Sequence, residues 1–278
     1  MLYTDKEYII NKIVSGCTIC SFEDQPVLVY DPSPHNKILA HDISIKEYRR
    51  AELLEVPKDE DILVQMKLRG MWSHALQKEL DSLPKSIENL KIELYNAFFQ
   101  FKRRDQIKKS IDGLRFREVE LLSQRDKFKH VTCEGFALAC KNKHLICSGA
   151  KHSDGTAFFT DYNACSQGSL DNFIQDYFAN KIDDETIREL SKDEPWRGIW
   201  SAGKQEGAIF GIPSSLLSHE QRMLIIWSRI YDSVYESPDC PPDEVLEDND
   251  CFDGWMIVQS RNRENDRKAS HGYKPGDK

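Results

Sequence analysis

The chain has 278 residues, 40% of them hydrophobic, and a formal net charge of −8 from 38 basic and 46 acidic side chains. That length accommodates one large domain or two modest ones with true cores, and the acidic balance argues against general nucleic-acid binding, where a basic surface supplies most of the affinity. No apolar run approaches the roughly 20 residues of a membrane span, and the start of the chain lacks the basic-then-apolar order of a secretory leader. The eight cysteines therefore read as reduced thiols, mostly small buried hydrophobes, in a cytoplasmic protein.

In chain order, Tyr8 to Val14 reads as a short helix or strand. Cys17 to Phe22 alternates in polarity and Val27 to Tyr30 is rich in β-branched residues, with a turn at Glu23-Asp24-Gln25-Pro26 between them. Together they predict a β-hairpin over 17–30, ended by Pro32 and Pro34. A helical period begins at Ser44, runs through Ile45, Tyr48, Ala51 and Leu54, and closes at Pro57. A short helix over 60–69 stops at Gly70.

From Trp72 onward, Leu76, Leu80, Leu83, Ile87, Leu90 and Leu94 alternate by four and three, the a/d seam of a coiled coil. Pro84 falls inside this run and predicts a kink or a fresh helix start near Leu83. Beyond Lys102-Arg103-Arg104-Asp105 a second seam follows through Ile107, Ile111, Leu114, Leu121 and Phe128, with Glu118 and Arg125 at positions that ought to be apolar. Two amphipathic helices on a short link predict an antiparallel coiled-coil hairpin with arms of roughly 30–35 Å.

Thr132 is a natural N-cap for a helix from Cys133 to Cys147. The looser stretch from Lys151 to Ser169 is the expected domain boundary. Helices follow over 170–178, 184–190 and 216–234, and the last carries Leu217, Met223, Leu224, Trp227, Ile230 and Tyr231 roughly on one face. After Arg261 the chain is polar and expected to be disordered. The fold class is mainly α, with a small N-terminal β-hairpin, a helical hairpin and a C-terminal helical region. The expected segments are 1–70, 71–150, 170–260 and 261–278.

Several strings mimic chemistry. Gly198-Ile199-Trp200-Ser201-Ala202-Gly203-Lys204-Gln205 has the spacing of a phosphate-binding loop, but Gln205 stands where a Mg²⁺-binding hydroxyl belongs and no apolar strand precedes it. Cys17 and Cys20 have the spacing of half a zinc site, and no second pair at that spacing exists. Cys133, Cys140 and Cys147 recur every seven residues, so Cys140, His144 and Cys147 on one helix face are the candidate metal ligands, with Cys17 or Cys20 as a fourth. Packed apolar thiols are the preferred reading, and no cofactor is assigned. The acidic run from Asp239 to Asp253 departs from an EF-hand at Phe252 and Gly254 and lacks the closing Glu. Its acids beside aromatics make Asp248, Asp250, Phe252, Asp253 and Trp255 the candidate partner-binding residues. No G-x-S-x-G and no recognised Cys-protease string is present, and no catalytic residue is assigned. The basic runs at Lys102-Arg103-Arg104 and Arg261 to Lys268 read as a solvated hairpin tip and a mixed-charge tail.

Glu194-Pro195-Trp196-Arg197 with Trp200, Leu217-Ser218-His219-Glu220-Gln221-Arg222, Trp227-Ser228-Arg229-Ile230-Tyr231-Asp232, and Cys240-Pro241-Pro242-Asp243-Glu244-Val245 followed by Asp250-Cys251-Phe252-Asp253-Gly254-Trp255 resemble proteins encoded among the structural genes of tailed bacteriophages. The order of a β-leaning start, a helical hairpin and the Thr132-to-Cys147 helix is similar too. The resemblance implies a tail- or baseplate-assembly factor or a minor virion protein, and it carries over no functional residue. Cys17 and Cys20 depart from it.

The sequence therefore leads to a non-enzymatic morphogenesis protein, an assembly chaperone or structural adaptor. It would bind other phage structural or assembly proteins in the host cytoplasm or the virion, in an oligomeric state left open. The alternatives are a metal-binding regulatory or nucleic-acid-associated module, and a nucleotide-binding enzyme built on Lys204.

Overall fold

A computed structural model describes residues 3–204 and 209–272. In chain order the elements are α1 (Tyr3–Ser15), β1 (Cys17–Phe22), β2 (Gln25–Tyr30), α2 (Pro34–Leu53), α3 (Asp59–Leu68), α4 (His74–Asn96), α5 (Phe101–Arg125), α6 (Cys133–Gly149), β3 (Ala150–Lys151), α7 (Gln167–Ala179), α8 (Asp184–Lys192), α9 (Trp196–Gly203), α10 (His219–Tyr235), α11 (Asp243–Glu247) and α12 (Asn249–Gly272). The protein is mainly helical, with one antiparallel sheet of order β1-β2-β3. Among the described residues no helix is long and apolar enough to cross a membrane.

The chain forms two compact units and passes between them at Pro57, His130 and Pro238. The boundary expected at 151–169 lies inside the first unit. Its Gly, Ser and Asp content looks like a linker, but Phe158, Phe159, Tyr162 and Cys165 pack against the sheet core and hold it in place.

The first unit runs up to Pro57 and resumes over Val131–Pro238. Its β1–β2 hairpin pairs Cys17 with Tyr30 through Phe22 with Gln25. The loop is just Glu23 and Asp24, with φ of 49° and 64°, the left-handed pair that suits the twist of a two-residue hairpin. Strand alternation buries Thr18, Cys20 and Phe22 and exposes Ile19. The buried face meets Ile146 and Cys147 of α6 and Leu170, Phe173 and Tyr177 of α7 in one cluster.

Helix α2 begins ten residues before the apolar period does. The Ser33 hydroxyl accepts the Asn36 amide and Pro34 occupies the first turn, where its missing N–H is no loss. α2 and α6 lie antiparallel. At one end the Cys133 amide donates to the Pro57 carbonyl at 3.0 Å, and at the other Gly149 presses on Tyr30, whose carbonyl oxygen a Cβ would overlap. A second cluster joins Ile10 and Ile13 of α1, Ile187 and Leu190 of α8, Trp196 and Trp200 of α9, and Leu224 of α10. Gln221 ties this cluster to the end of α1 by donating to the Ile13 and Val14 carbonyls at 3.1 and 3.3 Å.

The second unit takes Lys58–His130 and the chain from Asp239 onward. Glu93 pairs with Arg103 at 2.7 Å near the link, and Glu79 with Arg117 at 2.7 Å some four turns away, so α4 and α5 run antiparallel. Pro84 breaks nothing: α4 is continuous from its Ser73 cap to Asn96. At one end Leu80 and Leu83 of α4 meet Leu121 of α5, with Met66 of α3 and Trp72. α12 packs along α4, in contact close enough that only Gly254 fits beneath the Lys91 carbonyl.

The tail expected to be disordered from Arg261 is helical as far as Gly272, and 273–278 lie outside the described residues. α12 is started by Asp248, whose carboxylate accepts the Cys251 amide at 3.2 Å, and anchored by buried Cys251, Phe252 and Trp255. Its polar continuation is supported by ion pairs, Arg261 to Glu88 and Glu264 to Lys268 at i,i+4, each at 2.6 Å. A helix that projects one solvated face needs no apolar seam, which is why periodicity did not reveal it.

Candidate interaction surfaces

The acidic–aromatic segment chosen from the sequence does dock, but onto its own chain. Phe252 and Trp255 stack 5.7 Å apart and are buried at the start of α12. Asp253 accepts from Lys91 at 2.6 Å, with Asp250 3.3 Å from the same ammonium. Asp250 also takes both guanidinium nitrogens of Arg115, and Asp248 pairs with Lys108. All three carboxylates are less than a quarter exposed. Within the chain, α4 and α5 supply a basic, apolar surface for these five residues, which the sequence reading had directed toward an external partner. Partly buried pairs of this kind fix register as much as they stabilise, since each ion gives up hydration.

The thiols do not converge. A strand places residues three apart on opposite faces, so Cys20 enters the sheet core while Cys17 does not. Cys147 lies in that same core, and burial pushes its thiol up to about 12, as it does that of Cys20. The Cys140 thiol is raised as well, first by burial and then by Glu47 of α2. The His144 ring shares a 3.0 Å hydrogen bond with the Tyr162 hydroxyl, and burial lowers its pKa. Among the described residues no group of three or more His, Cys, Asp or Glu side chains is placed to hold a metal ion.

The phosphate-loop mimic is a helix. Residues 196–203 form α9, and its first-turn amides are engaged at Gly198 by the Glu194 carboxylate at 3.1 Å and at Arg197 and Ile199 by the Asp193 and Pro195 carbonyls, not held open as a phosphate cradle. The Lys204 ammonium donates to Asp232 at 3.0 Å, and Gln205 lies outside the described residues.

Asp232 is the residue that sequence reasoning missed. Its carboxylate accepts from Arg197 at 2.6 Å, from the Trp200 indole at 2.8 Å and from Lys204. One turn back, Ser228 accepts the Trp196 indole N–H at 2.8 Å and donates to the Leu224 carbonyl. The Arg188 guanidinium lies 4.3 Å from the Trp227 ring centre and donates to the Tyr231 hydroxyl. The Glu194-to-Arg197 and Trp227-to-Asp232 strings are thus two halves of one packed joint between α9 and α10. The signal was present as polar atoms at i, i+4 spacing on each string, but nothing in the sequence paired them.

Burial pushes the Asp232 carboxyl up, but the hydrogen bonds from Arg197, Trp200 and Lys204 outweigh it and hold the group below the usual carboxylate range. A depressed folded pKa stabilises the protein above the unfolded value of about 3.9 and is lost as pH falls through the folded value. Asp232→Asn is expected to lower stability near neutrality and to flatten its decline on acidification below about pH 5. Thermal melts of the two proteins across that range, converging at the acid end, are the check.

On the solvent side of α5, Phe116 and Val119 are 74% and 66% exposed, with Leu122 a further turn along. In the first unit, a cavity of about 190 Å³ lies against α9 and α10.

No family model, no curated protein and no solved structure matches this chain.

Proposed function

We propose that this chain is a non-enzymatic assembly adaptor of a tailed bacteriophage, a tail or baseplate morphogenesis protein that acts by binding other phage structural proteins. The observation that carries the reading is the solvent face of α5. Ile107, Ile111 and Leu121 are buried on one side of this helix, while Phe116, Val119 and Leu122 are exposed on another. Single exposed apolar residues are ordinary, but three over two turns of one helix form a stripe that a partner helix can cover. In this reading α4 and α5 are an antiparallel coiled-coil arm, supported by the a/d spacing and the contact of Leu80 and Leu83 with Leu121. The strings similar to tailed-phage structural proteins supply the biological setting.

The test is co-purification of the tagged protein with the products of its neighbouring genes, wild type against Phe116→Ser/Val119→Ser. Both side chains are exposed, so the double variant is expected to keep its stability within about 1 kcal/mol. A neighbouring structural protein should come down in stoichiometric amount with the wild type and be lost from the variant. Recovery of the bait alone, or equal recovery with both, would contradict the assignment.

A further inference from the structure

We infer that the first unit carries a binding site for a small amphipathic carboxylate, one aromatic ring or a short acyl chain bearing a single negative charge. The site is the cavity lined by α9 and Lys204, by residues between Ile209 and Leu217, and by the first three turns of α10. Trp200, Ile209, Phe210 and Ile226 make it apolar. Its volume of about 190 Å³ exceeds the ~150 Å³ of an engineered apolar cavity that admits benzene, and it opens to solvent, so a ring or short chain enters without rearrangement.

Charge selects among such ligands. The described lining includes Lys204, Arg222 and Arg229 and no carboxylate. These cations are not equivalent. Lys204 pairs with Asp232 at 3.0 Å, a carboxylate it shares with Arg197, and Arg222 stands 3.8 Å from Asp31. Arg229 has no ion-pair or hydrogen-bond partner among the described residues and is exposed. Its position seven residues after Arg222 and three after Ile226 puts it on the cavity side of α10. Among the described residues, one apolar enclosure with one spare guanidinium at its edge fits a ligand with one apolar body and one carboxylate, because guanidinium and carboxylate match as a two-pronged hydrogen-bonded pair. A neutral ligand would leave the cation unused, and a dianion would meet the carboxylates of Asp232 and Asp31 behind the other two.

The experiment is calorimetric titration of the full-length protein with hydrocinnamate, its uncharged amide, and octanoate, each against wild type, Arg229→Gln and Ile226→Glu. Ile226 and Arg229 are exposed, and circular dichroism and the melting temperature verify that both variants remain folded. One molecule of hydrocinnamate or octanoate should bind per chain. The amide should bind the wild type about tenfold or more weakly, as expected for loss of a charge-assisted hydrogen bond. Arg229→Gln should bring carboxylate and amide to equal affinity, and Ile226→Glu should abolish binding of the carboxylates. Absence of carboxylate binding at millimolar concentration, equal binding of acid and amide by the wild type, or indifference to both substitutions would each overturn the inference.

Discussion

Replacing Gly254 by alanine is expected to cost about 3 kcal/mol, the upper end of what overpacking usually does, while the same change at Gly113 stabilises by up to about 1 kcal/mol. Both glycines sit inside helices, α12 and α5. Alanine is the better helix former at each, so propensity alone predicts the same sign twice. Surroundings reverse it. A Cβ on Gly254 would overlap the Lys91 carbonyl oxygen and lie 2.6 Å from the carbonyl carbon, both main-chain atoms of α4 that no rotamer change can move aside. A Cβ on Gly113 meets nothing within 4 Å. The strain at 254 is relieved only by lifting α12 from α4, which disturbs the buried stack of Phe252 on Trp255 and the Lys91 pairs with Asp250 and Asp253. Urea titration with hydrogen exchange of α4 and α12 amides would measure it. Matching midpoints for Gly254→Ala and wild type would mean that the two helices are not packed as described. Because the chain has two compact units, the readout must follow these helices and not a global signal.

The second large effect belongs to the first unit. Trp196→Ala is expected to cost about 3–5 kcal/mol, the range for emptying a fully buried large aromatic site. Trp196 has no exposed surface, stacks on Phe210 with ring centres 5.9 Å apart, and joins the cluster that holds α1, α8, α9 and α10 together. Trp196→Phe separates the contributions. It keeps an aromatic face toward Phe210 and removes the indole N–H that Ser228 accepts. Ser228 still donates to the Leu224 carbonyl, so no buried donor is stranded. The phenylalanine variant should therefore recover much of the loss, although the smaller ring leaves part of the site unfilled. Chemical denaturation of both variants provides the comparison, and an alanine variant as stable as the phenylalanine one would show that Trp196 does not fill this core.

The elements most legible in the sequence were those with a strong period and a local stop. The 17–30 hairpin follows from alternation on either side of Glu23-Asp24. The N-terminus of α6 follows from Thr132, whose hydroxyl accepts the Gly135 amide, and the body of α4 from its leucine repeat. Where polarity and structure parted, the stop signals misled. Pro32 and Pro34 read as the end of a strand, yet Ser33-Pro34 also starts α2. The polar residues after Arg261 read as a tail, yet they extend a helix anchored three turns earlier.

The intramolecular contacts of the acidic–aromatic segment were illegible for a different reason. An acidic segment with aromatic anchors is complementary to a basic apolar surface whoever supplies that surface, and its chemistry looks the same in either case. Here Lys91, Lys108 and Arg115 lie between 135 and 162 positions away in the chain and fill the role, as the ion pairs with Asp248, Asp250 and Asp253 record. The surroundings of the cysteines were illegible by a comparable ambiguity, because regular spacing along a helix or strand says which residues share a face but not what that face meets.

The sequence by itself determined local matters: the strongly periodic helices and the hairpin, the Thr132 cap of α6, and which side of each is apolar. Those properties depend on neighbours within about one turn, and residue order contains them. Tertiary structure alone decided which apolar faces close on one another, that α12 lies on α4 through Gly254, and that Asp232 gathers Arg197, Trp200 and Lys204. It also decided which surfaces stay open, the α5 stripe and the cavity beside Arg229 among them. Contacts between residues remote in sequence depend on shape and close approach in three dimensions, and a one-dimensional pattern does not encode the partner of a face.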